Sequence, residues 1–355
     1  MRIAITGATG NVGTSLVAAL RDERSVDEIV AIARRAARFA DPRVRMACAD
    51  VARDDLDEPL RGVDAVVHLA WLIQPSRDDA ALHAVNVEGS RRVFEAAARA
   101  GARAIVYLSS IGAYSPGPKD RRVDESWPTD GIPTLFYARH KAAVERLLDR
   151  FEREHPDIRV VRLRPGLIFK RDAATGIRRL FAGPLLPSPL VRRGLVPWVP
   201  DVPRLRFQAV HSLDVGEALR LALVGDERGP FNVAAEPVLD PATLGELLGA
   251  RPVRMRAGVL RALAALTWRA RLQPSPPGWL DLALAVPLMD VTRATERLGW
   301  RPRRSSTEAL LELLDGIRAG AEHSTPPLAA ATSGAARWRE IAGRAGARDA
   351  DVERR

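Results

Sequence analysis

From Met1 to about Pro165, short apolar runs alternate with segments of helical period. "RIAIT" is a β-branched run that stops at glycine, and "GTSLVAALRDE" follows with apolar positions three and four apart. "EIVAIA", "RVRMACA" and "VDAVVHLA" predict a second, third and fourth strand. A long helix is expected over "SRDDAALHAVNVEGSRRVFEAAARAG", capped by Ser76 and closed by Gly101. "RAIVYLSS" predicts a fifth strand, "YARHKAAVERLLDRFEREH" a helix and "IRVVRLRP" a sixth strand. The strands are apolar at both parities, as in strands covered on two faces. Repeated strand–helix alternation predicts an α/β fold with a doubly wound parallel sheet of the Rossmann type.

After Pro165 the alternation breaks. "RRLFAGPLLPSPLVRRGLVPWVPDVPRL" is rich in Pro and Gly and predicts an irregular connection with a short helix. "FQAVHSLDVGEALRLALVG" predicts one more strand and helix, and "GPFNVAA" another strand. The remainder to about Gly320 is mainly helical. The expected division is a Rossmann domain over 1–165 plus about 204–233, and a smaller, mostly helical substrate lobe over about 166–203 plus 234–320. The lobe would close over the carboxyl edge of the sheet. The tail, 321–355, is rich in Ala and Arg. The longest apolar stretch, "GVLRALAALTWRARLQPSPPGWLDLALAVPLM", is broken by Arg261, Arg269, Arg271 and four prolines. It reads as an amphipathic helix packed on a core, with no membrane insertion.

Composition narrows the function classes. Hydrophobic content of 46% and charged content of 28% are those of a globular protein. Cys48 is the single cysteine, so an intramolecular disulfide and cysteine-rich metal sites are excluded and a reducing, cytoplasmic setting is expected. No His or carboxylate cluster has metal-ligand spacing, so no metal is expected. The formal charge of +10 invites a nucleic-acid reading. The excess is arginine scattered along the chain without an RNP run, zinc-finger spacing or basic region before heptads. Solvated surface is the better account, and no nucleic-acid partner is expected.

"TGATGNVG", Thr6 to Gly13, lies where the first strand hands over to the first helix. Gly7 permits the tight turn, Gly10 lets backbone approach a pyrophosphate, and Gly13 lets the helix sit close to the strand. The helix N-terminus would face the diphosphate of a dinucleotide. At the end of the second strand "AIARRAAR" offers Arg34, Arg35 and Arg38 where a carboxylate would hold the adenosine ribose. Arginine suits a 2′-phosphate, so NADP is expected in preference to NAD. Asp50 and Val51, after the third strand, are placed for adenine.

"FYARHK" sets Lys141 four residues after Tyr137, in a chain with three lysines and three tyrosines. On a helix that spacing puts both on one face. Together these segments resemble the extended short-chain dehydrogenase/reductase family, of the NAD-dependent epimerase/dehydratase type. "TGATGNVG" is similar to its TGxxGxxG, "HLAW" to its HLAA, "NVEG" to its N-V-x-G, "YLSSIGAY" to its serine strand and "YARHK" to its YxxxK. "VHSLDV", "FNVAA" and "LGWRP" match later landmarks, so the likeness runs to about Gly316. The resemblance implies Tyr137 as general acid/base, Ser110 on the substrate oxygen and Lys141 on the nicotinamide ribose. The ammonium and the oxidised nicotinamide would lower the phenol's pKa. It also implies a cofactor site of Gly7, Thr9, Gly10, Asn11, Val12, Gly13, Leu69, Ala70, Asn86, Tyr137, Lys141 and Pro165.

Within that family, sugar-nucleotide enzymes commonly carry an Asn where this chain has Leu167, and an Arg where it has Phe207, one residue after Arg206. "LRPG" looks more like the reductase and hydroxysteroid branches. Trp71, Trp127, Trp198, Trp268 and Trp279 suggest an apolar lid. The expected function is an NADP-dependent oxidoreductase acting on a carbonyl or alcohol of a small lipophilic substrate. A sugar-nucleotide epimerase or dehydratase and a catalytically silent dinucleotide sensor are the alternatives. A homodimer through the helices around 77–100 and 137–154 is possible on this pattern.

Overall fold

A computed structural model describes residues 1–73, 78–181 and 196–329. In chain order its first part holds β1 (Arg2–Thr6), α1 (Asn11–Ala19), β2 (Glu28–Ala33), β3 (Val44–Cys48), α2 (Asp57–Leu60), β4 (Ala65–His68) and α3 (Asp79–His83). A π-helical turn, Ala84–Glu88, joins α3 to α4 (Gly89–Arg99). There follow β5 (Ala104–Leu108), β6 (Arg122–Val123), α5 (Phe136–Glu154), β7 (Arg159–Pro165), β8 (Leu167–Phe169) and α6 (Ala174–Phe181). The last part holds β9 (Trp198–Asp201), β10 (Ala209–His211), α7 (Ser212–Val224), β11 (Gly229–Val233), α8 (Pro241–Leu248), β12 (Arg251–Arg254), α9 (Ala257–Arg269), α10 (Gly278–Ala285), β13 (Leu288–Met289), α11 (Thr292–Arg297) and α12 (Ser306–Ala319).

Seven strands form one parallel sheet in the order β11-β7-β5-β4-β1-β2-β3. The period of two sorts the side chains: Ile3 and Ile5 join Leu16, Leu219 and Phe231 on one face, while Ala4 joins Phe94, Leu148 and Phe151 on the other. The fold is therefore α/β, Rossmann-like, with helices on both sides. The order reverses between β1 and β4, and a crevice opens beyond their carboxyl ends at Thr6 and His68.

Several expectations are corrected. β3 is an edge strand, so it is half exposed instead of covered on two faces. "FQAVHSLDVGEALRLALVG" gives the expected strand and helix, β10 and α7, with β10 paired to β8 in a separate two-stranded ribbon. The long helix is interrupted by the π turn, and Asp78 caps its start by accepting from the Ala81 N–H at 2.9 Å. Ser76 and positions 330–355 lie outside the described residues. α9 has no buried residue at all, against the expectation of a helix packed on a core. Among the described residues no helix is long and apolar enough to cross a membrane.

Candidate functional site

The turn from β1 to α1 is built on two glycines that exclude any side chain. Gly7 has φ +70°, and a Cβ there would lie 2.7 Å from the Ala70 nitrogen; one on Gly13 would lie 2.4 Å from the Gly7 oxygen. Gly10 precedes α1, Thr9 and Val12 are buried, and Asn11 Oδ1 is buried without a partner. Beside this turn runs a hydrogen-bonded chain. Thr6 Oγ1 accepts from the Leu69 and Ala70 N–H groups, each at 3.2 Å, leaving its own proton for His68 Nδ1 at 2.7 Å. His68 Nε2 then donates to Ser90 Oγ at 2.9 Å, and Ser90 donates to the Asn86 carbonyl at 2.6 Å. Burial, with Lys141 as a lesser cause, pushes the His68 pKa down to about 3. Asn86, in the π turn, clamps Leu72 from both sides, accepting its N–H at 2.7 Å and donating to its carbonyl at 3.0 Å. This chain holds residues 69–72 against the glycine turn. On the far side, Arg34, Arg35 and Arg38 are exposed and make no ion pair among the described residues. Asp50 accepts from the Ala52 N–H at 3.0 Å, Val51 is buried under Gly89, and Pro165 is buried at the end of β7.

Tyr137 sits in the first turn of α5 and Lys141 one turn later. Ser110, after β5, accepts from the Gly112 N–H at 2.9 Å and is close enough to the Tyr137 phenol to act on its pKa. Gly112 allows the approach, since a Cβ there would lie 2.9 Å from Tyr137 Cε1. Lys141 Nζ donates to the Leu108 carbonyl at 2.7 Å and to Tyr107 OH at 3.2 Å. The indole of Trp71 covers it, with Nζ 3.5 Å from the ring centroid, and Trp71 Nε1 is buried without a partner. Tyr137 lies between Trp71, 6.0 Å away edge-on, and Trp279, 5.3 Å away. The lowering expected from Lys141 together with oxidised nicotinamide concerns the loaded site; the protein alone holds the phenol the other way. Burial pushes Tyr137 up to about 12, with Ser110 as the opposing cause. The ammonium yields instead: burial holds Lys141 well below its usual value, opposed by the charge of Glu145.

The glycine turn follows β1 and Ser110 follows β5 at the carboxyl end of the same parallel sheet, and residues 3–176 match the NAD dependent epimerase/dehydratase family. The chain belongs to that family. An uncharacterized Mycobacterium tuberculosis protein is 29% identical over 322 residues, covering 90% of this chain and 30% of its own length. The chain thus spans about a third of the first curated relatives it matches. Sterol-4-alpha-carboxylate 3-dehydrogenase, decarboxylating, of Saccharomyces cerevisiae is 28% identical over 192 residues, covering 54% of this chain and 49% of the enzyme. Among solved structures, UDP-glucose 4-epimerase of Thermotoga maritima with UDP-glucose has a TM-score of 0.67 at 20% identity, covering 91% of this chain and 100% of that one.

Several important residues of this site escaped the reading of the sequence. Glu145, fully buried one turn after Lys141, accepts from Ser109 Oγ at 2.5 Å, Arg164 Nη2 at 2.9 Å and Arg162 Nη1 at 3.1 Å. Burial opposes its charge, but the two arginines win and hold it down to about 2. The shared four-residue spacing of Tyr137, Lys141 and Glu145 was the available signal. Ser109 therefore turns toward Glu145, away from Tyr137. His140 faces Asp79 at 3.8 Å, and His211 caps α7 and faces Glu312 at 3.1 Å. Trp198 is exposed on β9, opposite Arg251 of β12.

Proposed function

We propose that this protein transfers a hydride between NADP(H) and a carbonyl or carbinol carbon of a small lipophilic substrate. The observation that carries the reading is the buried Tyr137 phenol, beside Ser110 and flanked by two indoles on an otherwise apolar wall. The residues present fit a dinucleotide. The Gly7–Gly13 turn excludes side chains, and the unpartnered Asn11 Oδ1 faces no protein donor. The turn and the start of α1 would hold the diphosphate. Arg34 and Arg35 would hold the 2′-phosphate, Asp50 and Val51 the adenine. Leu69, Ala70, Asn86, Pro165 and Lys141 would receive the nicotinamide half.

When bound, the cofactor supplies or takes up the hydride. Ser110 would hold the substrate oxygen. With its pKa near 12 Tyr137 is protonated at neutral pH, a donor ready to protonate the alkoxide oxygen as a carbonyl is reduced. In the oxidising direction it would take the same proton back. Lys141 reaches a ribose hydroxyl only when Trp71 leaves its ammonium. The wall around Tyr137 is formed by Trp71, Ile111, Trp127, Phe136 and Trp279, which favours an apolar substrate.

A sugar-nucleotide epimerase or dehydratase is the second reading. Lys119, Arg204 and Arg206 favour it, being close together with no ion pair among the described residues. Against it, Arg206 Nη1 is engaged by the Lys119 carbonyl at 2.8 Å, and Leu167 offers no polar group. A screen of carbonyl substrates decides between them: net NADPH consumption supports reduction, and sugar-nucleotide turnover without net consumption supports epimerisation. Tyr137→Phe should lower kcat by about a hundredfold or more while leaving NADPH affinity within about twofold. Retained turnover would refute the assignment. For the cofactor, kcat/KM should favour NADPH over NADH by at least about tenfold, and Arg34→Ala with Arg35→Ala should erase that ratio. A wild-type preference for NADH ends the NADP reading.

A further inference from the structure

α9 is anomalous for a helix of an enzyme lobe. Val259, Leu263, Leu266 and Ala270 recur at spacings of four, three and four, which places them on one face. That face is turned outward: Val259 is 50% exposed, Leu263 48% and Leu266 64%, with Leu272 just beyond at 51%. Seven large apolar side chains are exposed among the described residues. Four of them, Val259, Leu263, Leu266 and Leu272, fall within fourteen positions on and just after α9; Val253 is on β12, Trp198 on β9 and Leu311 on α12. Scattered single apolar residues need no explanation, but a concentration of this kind does.

The charge around it is equally one-sided. Residues 247–280 contain six arginines and no Asp or Glu, so here the basic excess is not scattered as the composition suggested. Arg261 is tied to Asp281 of α10, at 2.7 Å and 3.0 Å. Arg251, Arg254, Arg256, Arg269 and Arg271 are exposed and make no ion pair among the described residues. A second copy of the chain would bring like charge against like charge, which disfavours self-association through this face. An apolar stripe flanked by unpaired arginines suits a surface that is apolar inside and anionic outside.

We infer that α9, with the exposed arginines that flank it in the chain, is a docking surface for an anionic lipid membrane. The helix would lie in the interface, leucines toward the acyl chains and guanidinium groups among the phosphates, without spanning it. The ion pair from Arg261 to Asp281 ties this surface to α10, whose Trp279 lies against Tyr137. The inference goes beyond the proposed reaction and does not depend on it.

Vesicle flotation with the full chain tests it, using phosphatidylcholine vesicles with and without phosphatidylglycerol. Binding should require phosphatidylglycerol and weaken as salt rises. Leu263→Glu with Leu266→Glu should reduce binding at least about tenfold without changing the melting temperature, since both side chains are already exposed. Arg254→Ser with Arg256→Ser should weaken it several-fold, and Tyr137→Phe should bind as the unaltered protein does. Absence of phosphatidylglycerol-dependent binding overturns the inference. So does undiminished binding by the leucine variant; if that variant also keeps full retention on heparin, the surface serves an acidic polymer instead. A leucine-dependent dimer in sedimentation without vesicle binding likewise overturns it.

Discussion

Glu145 is fully buried and still ionised, because Arg164 reaches it through Nε at 3.0 Å and Nη2 at 2.9 Å, and Arg162 through Nη1. Such a carboxylate organises its neighbours: Arg164 also donates to Tyr114 OH at 3.1 Å, and Tyr114 donates to Asn232 at 2.6 Å. It ties β7 to α5 beneath Lys141. Glu145→Gln should therefore cost ~3–5 kcal/mol, since it leaves two buried guanidinium groups short of a countercharge. Denaturant unfolding checks this, and a loss under about 1 kcal/mol would mean that Asp149 and Glu152 suffice for Arg162. Tyr137 shows the opposite outcome under the same burial. No countercharge reaches the phenol, so desolvation decides and the neutral form is kept.

Strand runs and the glycine turn were legible because both are written locally. Ile3, Ala4 and Ile5 are apolar together since the sheet is covered on both faces, and "TGATGNVG" occupies a junction where backbone must come within van der Waals contact of backbone. The π turn at Ala84–Glu88 was not legible, because its residues keep helical spacing on either side. Its extra residue brings Asn86 to Leu72, a contact fourteen positions away in the chain. α9 was misread for a related reason. Its period of three and four marks a face, but a period does not say whether protein, water or lipid meets that face. The same holds for Trp71 and Trp198. Both were placed at the lid by composition, yet one lies on Lys141 and the other on the outer surface.

The molecule's ionisable core should set an unusual dependence of stability on pH. All three lysines are buried, and all three are depressed, Lys119 to about 7 by burial and then by Arg204 and Arg206. Between that value and the free lysine value the unfolded chain holds the extra proton, so stability rises with pH there. His68 and His140, pushed down to about 3 and 4 by burial, act likewise below the free histidine value: stability falls as pH drops from about 6.5. Tyr114 and Tyr137, each raised to about 12, contribute stability that is present below about pH 10 and lost above it. Calorimetry should therefore find a melting temperature that climbs from pH 5 to a maximum near pH 9–10. Each such proton contributes up to about 1.4 kcal/mol per pH unit. Lys119→Met should flatten the rise above pH 7, and a maximum at or below pH 7 in the unaltered protein would contradict the account.

Taken alone, the order of residues determined the α/β class, the glycine turn and the helical pairing of Tyr137 with Lys141. Each of these is specified by neighbours a few positions apart, through strand and helix periods and the sterics of a tight turn. Only the tertiary structure decided that Trp71 rests on the Lys141 ammonium, that Glu145 gathers two arginines, and that the leucines of α9 face outward. Those facts depend on which distant segments come together and which are left uncovered, and burial, the quantity that sets both pKa and contact, is a property of the assembled fold.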